Sequence, residues 1–345
     1  MAFRTPPTAD TSSQDNAIRG TNDDAVTSKL SAVTTGYIND VFVKYFVKRP
    51  SKRPPIINRG SYVRNAGLDI LITKFLEVGE GNLKKQIVSL GAGSDTRYFH
   101  FKITSRNFHK YFEIDFPEIT SKKVAIIRRN NDLLDLIGTN MQIGKGGTEI
   151  YAPDYCLMSG DLRSWADNLV PRLKEHGFDQ SIPTLFLSEC VLIYMDPIDS
   201  NKIVQWVGDN MKLAMFIVFE QILPNDPFGS VMLQNLRAIN IELRGIYAYP
   251  DLQSQKDRYL LRGWTHAEAV DINEIHDKHI DSKELFRISK LEFLDELEEW
   301  RLLAAHYCIA WAYSVKDALD ESLFDNVKFD NYERTEENLS YLTYM

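Results

Sequence analysis

The chain has 345 residues, 44% of them hydrophobic and 26% charged, with a formal net charge of -8. This is ordinary globular composition with room for a sizeable core. The acidic balance excludes a general nucleic-acid binder, and no apolar run reaches the length of a membrane span.

Residues 1–24, with "PPTADTSSQDN", are polar and poor in large apolar groups, which predicts a disordered N-terminal tail. The first twenty residues lack an apolar core, so no secretory signal is expected. Three widely spaced cysteines, Cys156, Cys190 and Cys308, suggest neither a disulfide framework nor a zinc site. Free thiols fit a reducing, cytoplasmic compartment. From Asp24 a helical pattern begins, and "KYFVKRPSKRPP" carries several basic residues to a proline break. "GLDILITKFLEV" reads as an amphipathic helix with Leu68, Leu71, Ile72, Phe75 and Leu76 on one face. Residues 25–80 are thus expected to form a helical cap.

After Glu80 the texture changes. Apolar runs, "QIVSLGAG", "KYFEIDF", "YCLMSGDL", "PTLFLSECVLIYM" and "AMFIVFEQI", alternate with helix-like stretches around Lys122 to Ile137, Leu162 to Lys174 and Ile198 to Leu213. Runs this continuous imply strands buried on both faces, hence a parallel sheet. The alternation predicts an α/β fold, a mostly parallel doubly wound sheet in one domain over 25–320. Residues 224–263 interrupt the rhythm as a mostly helical insertion. "LEFLDELEEW" is acidic and amphipathic, "HYCIAWAYSV" reads as a last strand, and 325–345 as a peripheral polar tail. His276 and His279 lie three apart in a charged stretch without a third ligand, and are expected to be solvated rather than metal-bound.

The chemistry concentrates at strand ends, where α/β sheets bind ligands. Gly91 and Gly93 close the first strand; glycine lets the chain turn tightly and lets a ligand approach the backbone. The pattern is G-x-G-x-x-T, with Thr96 where a dinucleotide fingerprint has its third glycine, which disfavours a nicotinamide cofactor. Asp115 ends the second strand and could accept from both ribose hydroxyls, or cap the helix that Pro117 opens. Asp161 ends the third strand and could accept from an adenine amino group beside Leu162, or again act as a cap. Glu189 ends the fourth, a carboxylate in so apolar a run that it needs a partner. Such an acidic rim suits an adenosyl ligand that carries a cationic group, as S-adenosylmethionine does.

At these residues the chain resembles the leucine carboxyl methyltransferases, which methylate the C-terminal leucine of the protein phosphatase 2A catalytic subunit. The similarity runs from about Asp24 to Ala312 and includes "NRGSYVR", "IVSLGAGSDTRYF", "YFEIDFP", "DLR", "PTLFLSECVLIYM", "DPFG", "LEFLDELEE" and "HYCIAWA". The resemblance implies a class I S-adenosylmethionine-dependent methyltransferase fold acting on that subunit; a monomer is expected, and the charge and the absence of a long apolar run point to no nucleic-acid or membrane partner. Carried over residue by residue, the cofactor contacts would be Lys29, Arg64, Gly91, Asp115, Asp161, Leu162 and Glu189, with Gly93 in the same turn. Tyr194 matches a tyrosine near the reacting centre.

Arg64, placed after "NRGSY" at what reads as the opening of a helix, could clamp either of two carboxylates, that of the cofactor's methionine or that of the substrate terminus. Tyr194 could hold the acceptor through its hydroxyl, or serve as a core tyrosine. A terminal carboxyl, with a reference pKa of roughly 3.3–3.7, is already an anion and needs no general base. Three rivals share some of these features: an O-methyltransferase acting on a small carboxylic acid or polyketide, a non-catalytic adenosyl-binding subunit, and a tRNA-modifying relative with an added β-propeller. The family-specific "LEFLDELEE" argues against the first, the presence of Arg64 and Tyr194 against the second, and the length of the chain against the third.

Overall fold

A computed structural model describes residues 11–81 and 83–332. Two long helices lead the chain, α1 (Thr11–Thr35) and α2 (Pro55–Glu77), the second opened by proline at its first turn. The alternating core follows as β1 (Gln86–Leu90), α3 (Arg97–Ile103), β2 (Lys110–Asp115), α4 (Pro117–Arg129) and α5 (Asn131–Ile137). A small hairpin, β3 (Gln142–Gly144) and β4 (Glu149–Tyr151), precedes β5 (Tyr155–Ser159) and α6 (Val170–Glu175). Next come β6 (Thr184–Glu189), α7 (Pro197–Asn210) and β7 (Leu213–Gln221). Beyond them lie α8 (Pro227–Ala238), α9 (Leu252–Leu260), β8 (His266–Asp271), α10 (Ile272–Glu274), α11 (Ser282–Ser289), α12 (Leu297–Ala305) and β9 (Tyr307–Val315).

The strands form one sheet in the order β3-β4-β5-β2-β1-β6-β7-β9-β8. β5, β2, β1, β6 and β7 run parallel, as their unbroken apolar character requires. β9 enters antiparallel between β7 and β8. The chain builds outward from β1 through β2 to β5, then returns to β6 on the other side. The reversal between β1 and β6 is the topological switch point, where open α/β sheets bind ligands. Setting the edge hairpin aside, this is a doubly wound α/β sheet whose last strand is antiparallel, as the resemblance implies. Both faces of the sheet are covered, with Phe75, Phe99 and Leu187 buried on one and Phe112, Phe186 and Phe216 on the other.

Several expectations need correction. Residues 11–24 were expected to be disordered, yet they form the first half of α1; residues 1–10 lie outside the described part. Composition weighs apolar burial, whereas this half-helix is held by polar contacts. Gln14 Nε2 donates to the Glu242 carbonyl at 3.2 Å, Asn22 Oδ1 accepts from the Ser94 amide at 2.8 Å, and Arg19 pairs with Glu118 at 3.2 Å. Residues 325–332 are not peripheral: Val327 and Phe329 are buried, Trp311 Nε1 donates to the Val327 carbonyl at 3.2 Å, and the Tyr332 amide donates to the Lys278 carbonyl. Residues 333–345 lie outside the described part. His276 and His279 are buried rather than solvated, His276 on Asp277 and edge-on to Trp300, His279 stacked on Phe329. Arg64 does not open a helix; Pro55 starts α2 nine residues earlier, and Gly60 is accommodated within it.

The expected insertion at 224–263 is present as α8, a loop and α9. A second helical excursion, residues 272–305, separates β8 from β9.

Candidate active site

Strand register sets the site. Leu90 pairs with Ile114 on one side and Ser188 on the other, so Gly91, Asp115 and Glu189 follow in one row across three strands. Asp115 pairs in turn with Ser159, which puts Asp161 just past the end of the neighbouring strand. The four strand-end signals therefore converge on one rim.

At its centre, Gly91 and Gly93 hold φ of +61° and +53°, left-handed values that favour glycine. A Cβ on Gly91 would lie 2.5 Å from Val191 Cγ2, and one on Gly93 2.5 Å from Asn22 Oδ1. Asp115 Oδ2 accepts from the Gly93 amide and Oδ1 from the Phe116 amide, both at 2.7 Å. Asp115 thus braces the glycine turn, whereas the N-cap of α4 is Phe116. Burial pushes the Asp115 carboxyl up to about 6, against the pull of those two amides. Asp161 is a cap, accepting from the Arg163 amide at 2.9 Å, and its carboxylate also holds the Arg163 guanidinium, which reaches Asp15 on α1 at 2.7 Å. Leu162 beside it is buried.

Glu189 finds the partner its setting requires. Arg64 Nε donates to Glu189 Oε2 at 2.8 Å, and Arg97 Nη1 to Oε1. Arg97 also pairs with Asp95 at 3.0 Å. Burial alone would raise the Glu189 carboxyl; the Arg97 and Arg64 guanidinia overcome it and hold it below the ordinary carboxylate range. The Arg64 guanidinium lies over the Phe219 ring, 4.5 Å from its centre. Lys29, on α1, pairs with buried Asp40 at 2.7 Å and donates to Thr96 Oγ1 at 2.9 Å. Thr96, the residue that replaced a third glycine, thereby links α1 to the glycine turn.

Tyr194 ends a short 3-10 turn, Leu192–Tyr194, that follows a left-handed Cys190 with φ +55°. It packs against a small apolar cluster of Ile193, Leu233, Ile241, Leu243 and Ile246, mostly from the insertion. Burial raises its phenol far above the usual range, so the hydroxyl stays protonated and can donate.

All nine site residues read from the sequence line one cavity of about 820 Å³, bounded by α1, α2, the strand tips and the insertion. Its size suits a nucleoside-sized ligand with room beside it. The donors, acceptors and glycine cradle fit an adenosyl group. Asp40, Asp95 and Arg97, which hold Lys29 and Glu189, escaped the sequence reading. So did Asn22, Arg19 and Arg244, which face the cavity from α1 and the insertion. Asp95 and Arg97 sit inside the "GSDTRYF" run, where a charged pair so close to an apolar strand was an available signal. Among the described residues no histidine lines the cavity, and no group of three or more His, Cys, Asp or Glu could hold a metal ion. None of the described helices is long and apolar enough to cross a membrane.

Comparison with known proteins agrees with this geometry. A family profile described as leucine carboxyl methyltransferase matches residues 12–208. The leucine carboxyl methyltransferase 1 homolog of Arabidopsis thaliana is 41% identical over 315 residues, covering 90% of this chain and 92% of that protein. Leucine carboxyl methyltransferase 1 of Bos taurus is 37% identical, covering 88% and 91%. The tRNA wybutosine-synthesizing protein 4 of Homo sapiens is 36% identical over 89% of this chain, but the match spans only 45% of that longer protein.

Proposed function

The chain belongs to the leucine carboxyl methyltransferase family and is a methyltransferase, and from that premise we propose that it transfers a methyl group from S-adenosylmethionine to the C-terminal leucine carboxylate of the protein phosphatase 2A catalytic subunit, in the cytoplasm. One observation carries the choice of acceptor: among the described residues the cavity holds no histidine that could take a proton. An alcohol or amine acceptor calls for a proton acceptor, and two of the carboxylates nearest the glycine turn are engaged by cations, Glu189 by two guanidinia and Asp161 by Arg163, while Asp115, which braces the glycine turn, is assigned to the ribose. A carboxylate acceptor is already an anion and needs none.

When bound, S-adenosylmethionine supplies a sulfonium methyl group open to attack by a carboxylate oxygen. The rest of the work falls to the chain. Gly91 and Gly93 give the turn its left-handed backbone and let Val191 and Asn22 pack against it, which shapes the wall the ligand would meet. Asp115 keeps lone pairs for ribose hydroxyls, and Asp161 with Leu162 bounds the adenine end. Glu189 holds the guanidinium of Arg64 through Nε, and Arg64 is the group assigned to a carboxylate, while Lys29, paired with Asp40 and bonded to Thr96, ties α1 to the glycine turn beside the ligand. Tyr194, protonated, donates to the acceptor and orients it. Because methyl transfer neutralises charge, α1 and the insertion assist by keeping water out. Holding the two reactants together can contribute on the order of 7–11 kcal/mol.

The test compares three substrates: the intact phosphatase subunit, the subunit without its terminal leucine, and a C-terminally amidated tail peptide. Only the first is expected to accept label efficiently, as an ester released by mild base. Labelling of the leucine-deleted subunit at an internal residue would overturn the assignment.

A further inference from the structure

Six cationic side chains line the cavity among the described residues. Five have a carboxylate within 3.2 Å: Arg19 has Glu118, Lys29 has Asp40, Arg64 has Glu189, Arg97 has Asp95 and Glu189, and Arg163 has Asp15 and Asp161. The sixth, Arg244, is different. Its closest carboxylate is Glu242, 3.9 Å from Nε, with a side chain 56% exposed. So long and so wet a pair is worth little. Arg244 Nη2 instead donates to the neutral amide oxygen of Gln14. Gln14 is itself only 1% exposed and is pinned by its other end, Nε2 donating to the Glu242 carbonyl at 3.2 Å. A guanidinium is thus held in a fixed pose in the cavity wall by a neutral partner, with only the distant, exposed Glu242 as an anion. Partial burial of an unmatched cation is costly. The cost is removed when an anion arrives from outside.

The position of Arg244 says which half of the cavity it serves. The neighbouring Gly245 amide donates to the Ile193 carbonyl at 2.8 Å, and a Cβ on Gly245 would lie 3.2 Å from Ile193 Cα. The backbone that carries Arg244 therefore rides on the turn that carries Tyr194. Arg244 belongs to the acceptor side, while the strand tips on the far side form the adenosyl cradle.

We infer that Arg244 is a substrate-binding residue, its guanidinium receiving a carboxylate of the acceptor polypeptide's C-terminal segment, with Gln14 as the residue that positions it. This rests on the reading of the acceptor as a polypeptide terminus. The carboxylate is either the terminal one or that of an acidic side chain close before it; the chemistry is the same, and the experiment separates the two. Arg is suited to the task because its planar fork matches a carboxylate at two points and stays charged at any working pH.

The experiment measures kcat and KM for the full phosphatase subunit, and the affinity for S-adenosylhomocysteine by calorimetry, in the wild type, Arg244→Ala, Arg244→Gln and Gln14→Ala. Arg244→Ala should raise KM about tenfold to a hundredfold, the loss expected for one charge-assisted hydrogen bond, with kcat and S-adenosylhomocysteine affinity unchanged. Arg244→Gln keeps an amide that can still meet Gln14 and should show the same rise, because charge is what is missing. Gln14→Ala should give a smaller rise in KM alone. Repeating the pair wild type and Arg244→Ala on a subunit whose acidic residues near the terminus are changed to amides identifies the source. A persisting penalty assigns the terminal carboxylate, and a vanishing one assigns the side chain. An unchanged KM in Arg244→Ala, a normal KM in Arg244→Gln, or an equal loss of S-adenosylhomocysteine affinity would overturn the inference. A wild-type protein that fails to methylate the subunit would instead refute the proposed function, a separate outcome read in the first assay.

Discussion

Asp115 offers the sharpest test of the cofactor half of the site. Its carboxyl is pushed up to about 6 by burial, from an ordinary 3.8, because two backbone amides do not replace the water it has lost. A gap of about two pH units corresponds to about 3 kcal/mol at roughly 1.36 kcal/mol per unit. For the ligand-free fold the sign is fixed: the folded chain holds a proton in that window that the unfolded chain has released. The cost of burying the carboxylate is therefore present above about pH 6 and is relieved as the pH falls toward 3.8. Ligand binding should run the other way, since ribose hydroxyls need the ionised form to receive two donors. S-adenosylhomocysteine affinity should be level above about pH 7 and fall by up to about tenfold per pH unit below about pH 6. Asp115→Asn should be weaker by about tenfold to a hundredfold at neutral pH, having lost a charged acceptor, and should lose the slope. Calorimetry across this range, with thermal melts to show that the fold survives, is the assay. A wild-type affinity that stays level through pH 6, or an asparagine variant with the same slope, would refute the reasoning.

Arg64→Lys should keep little turnover, because a lysine ammonium cannot reproduce the Nε contact to Glu189 while presenting outer nitrogens to a carboxylate; a steady-state rate close to wild type would count against the clamp. Tyr194→Phe removes a donor and leaves the packing with Ile193 and Ile241 intact; kcat should fall about tenfold or more with S-adenosylhomocysteine affinity preserved, and equal losses in both would place the hydroxyl in the cofactor pocket. Arg19→Ala should speed release of S-adenosylhomocysteine in a stopped-flow chase, and added salt should do the same in the wild type, since the Arg19–Glu118 and Arg163–Asp15 pairs that hold α1 down are partly exposed. Release that ignores salt would show that α1 does not gate the pocket.

The strand-end row of the candidate site was legible in the sequence because parallel strands announce themselves as continuous apolar runs, and the first polar residue after each run is the strand end. Gly91, Asp115, Asp161 and Glu189 were visible for that reason, and register then aligned them. The edge hairpin of β3 and β4 was not, since three-residue strands with exposed Gln142 and Ile143 carry no periodic signal. β8 alternates Ala and polar residues too weakly to stand out. α1 was missed in its first half because what holds it is specific to place rather than composition. Asp15, Arg19 and Asn22 stand four and three residues apart, on one helical face. They meet Arg163, Glu118 and Ser94, which follow the ends of three different strands.

That stripe also explains how the molecule divides its labour. The adenosyl cradle is part of the sheet, and its geometry follows from strand register and one glycine turn. The proposed acceptor side is built from α1 and the α8–α9 insertion, packed on the turn at the end of β6 that bears Tyr194. These parts bind one another directly: Gln14 touches Glu242 and Arg244, Ser13 accepts from Asn240 at 2.7 Å, and Ala17 joins the cluster around Tyr194. α1 reaches both sides of the cavity, with Asn22 against the glycine turn and Gln14 against Arg244. If the proposed adenosyl ligand binds at the glycine turn that Asn22 contacts, it would settle the helix whose other end holds Arg244. Cofactor first and protein substrate second is the order of binding that this connection favours.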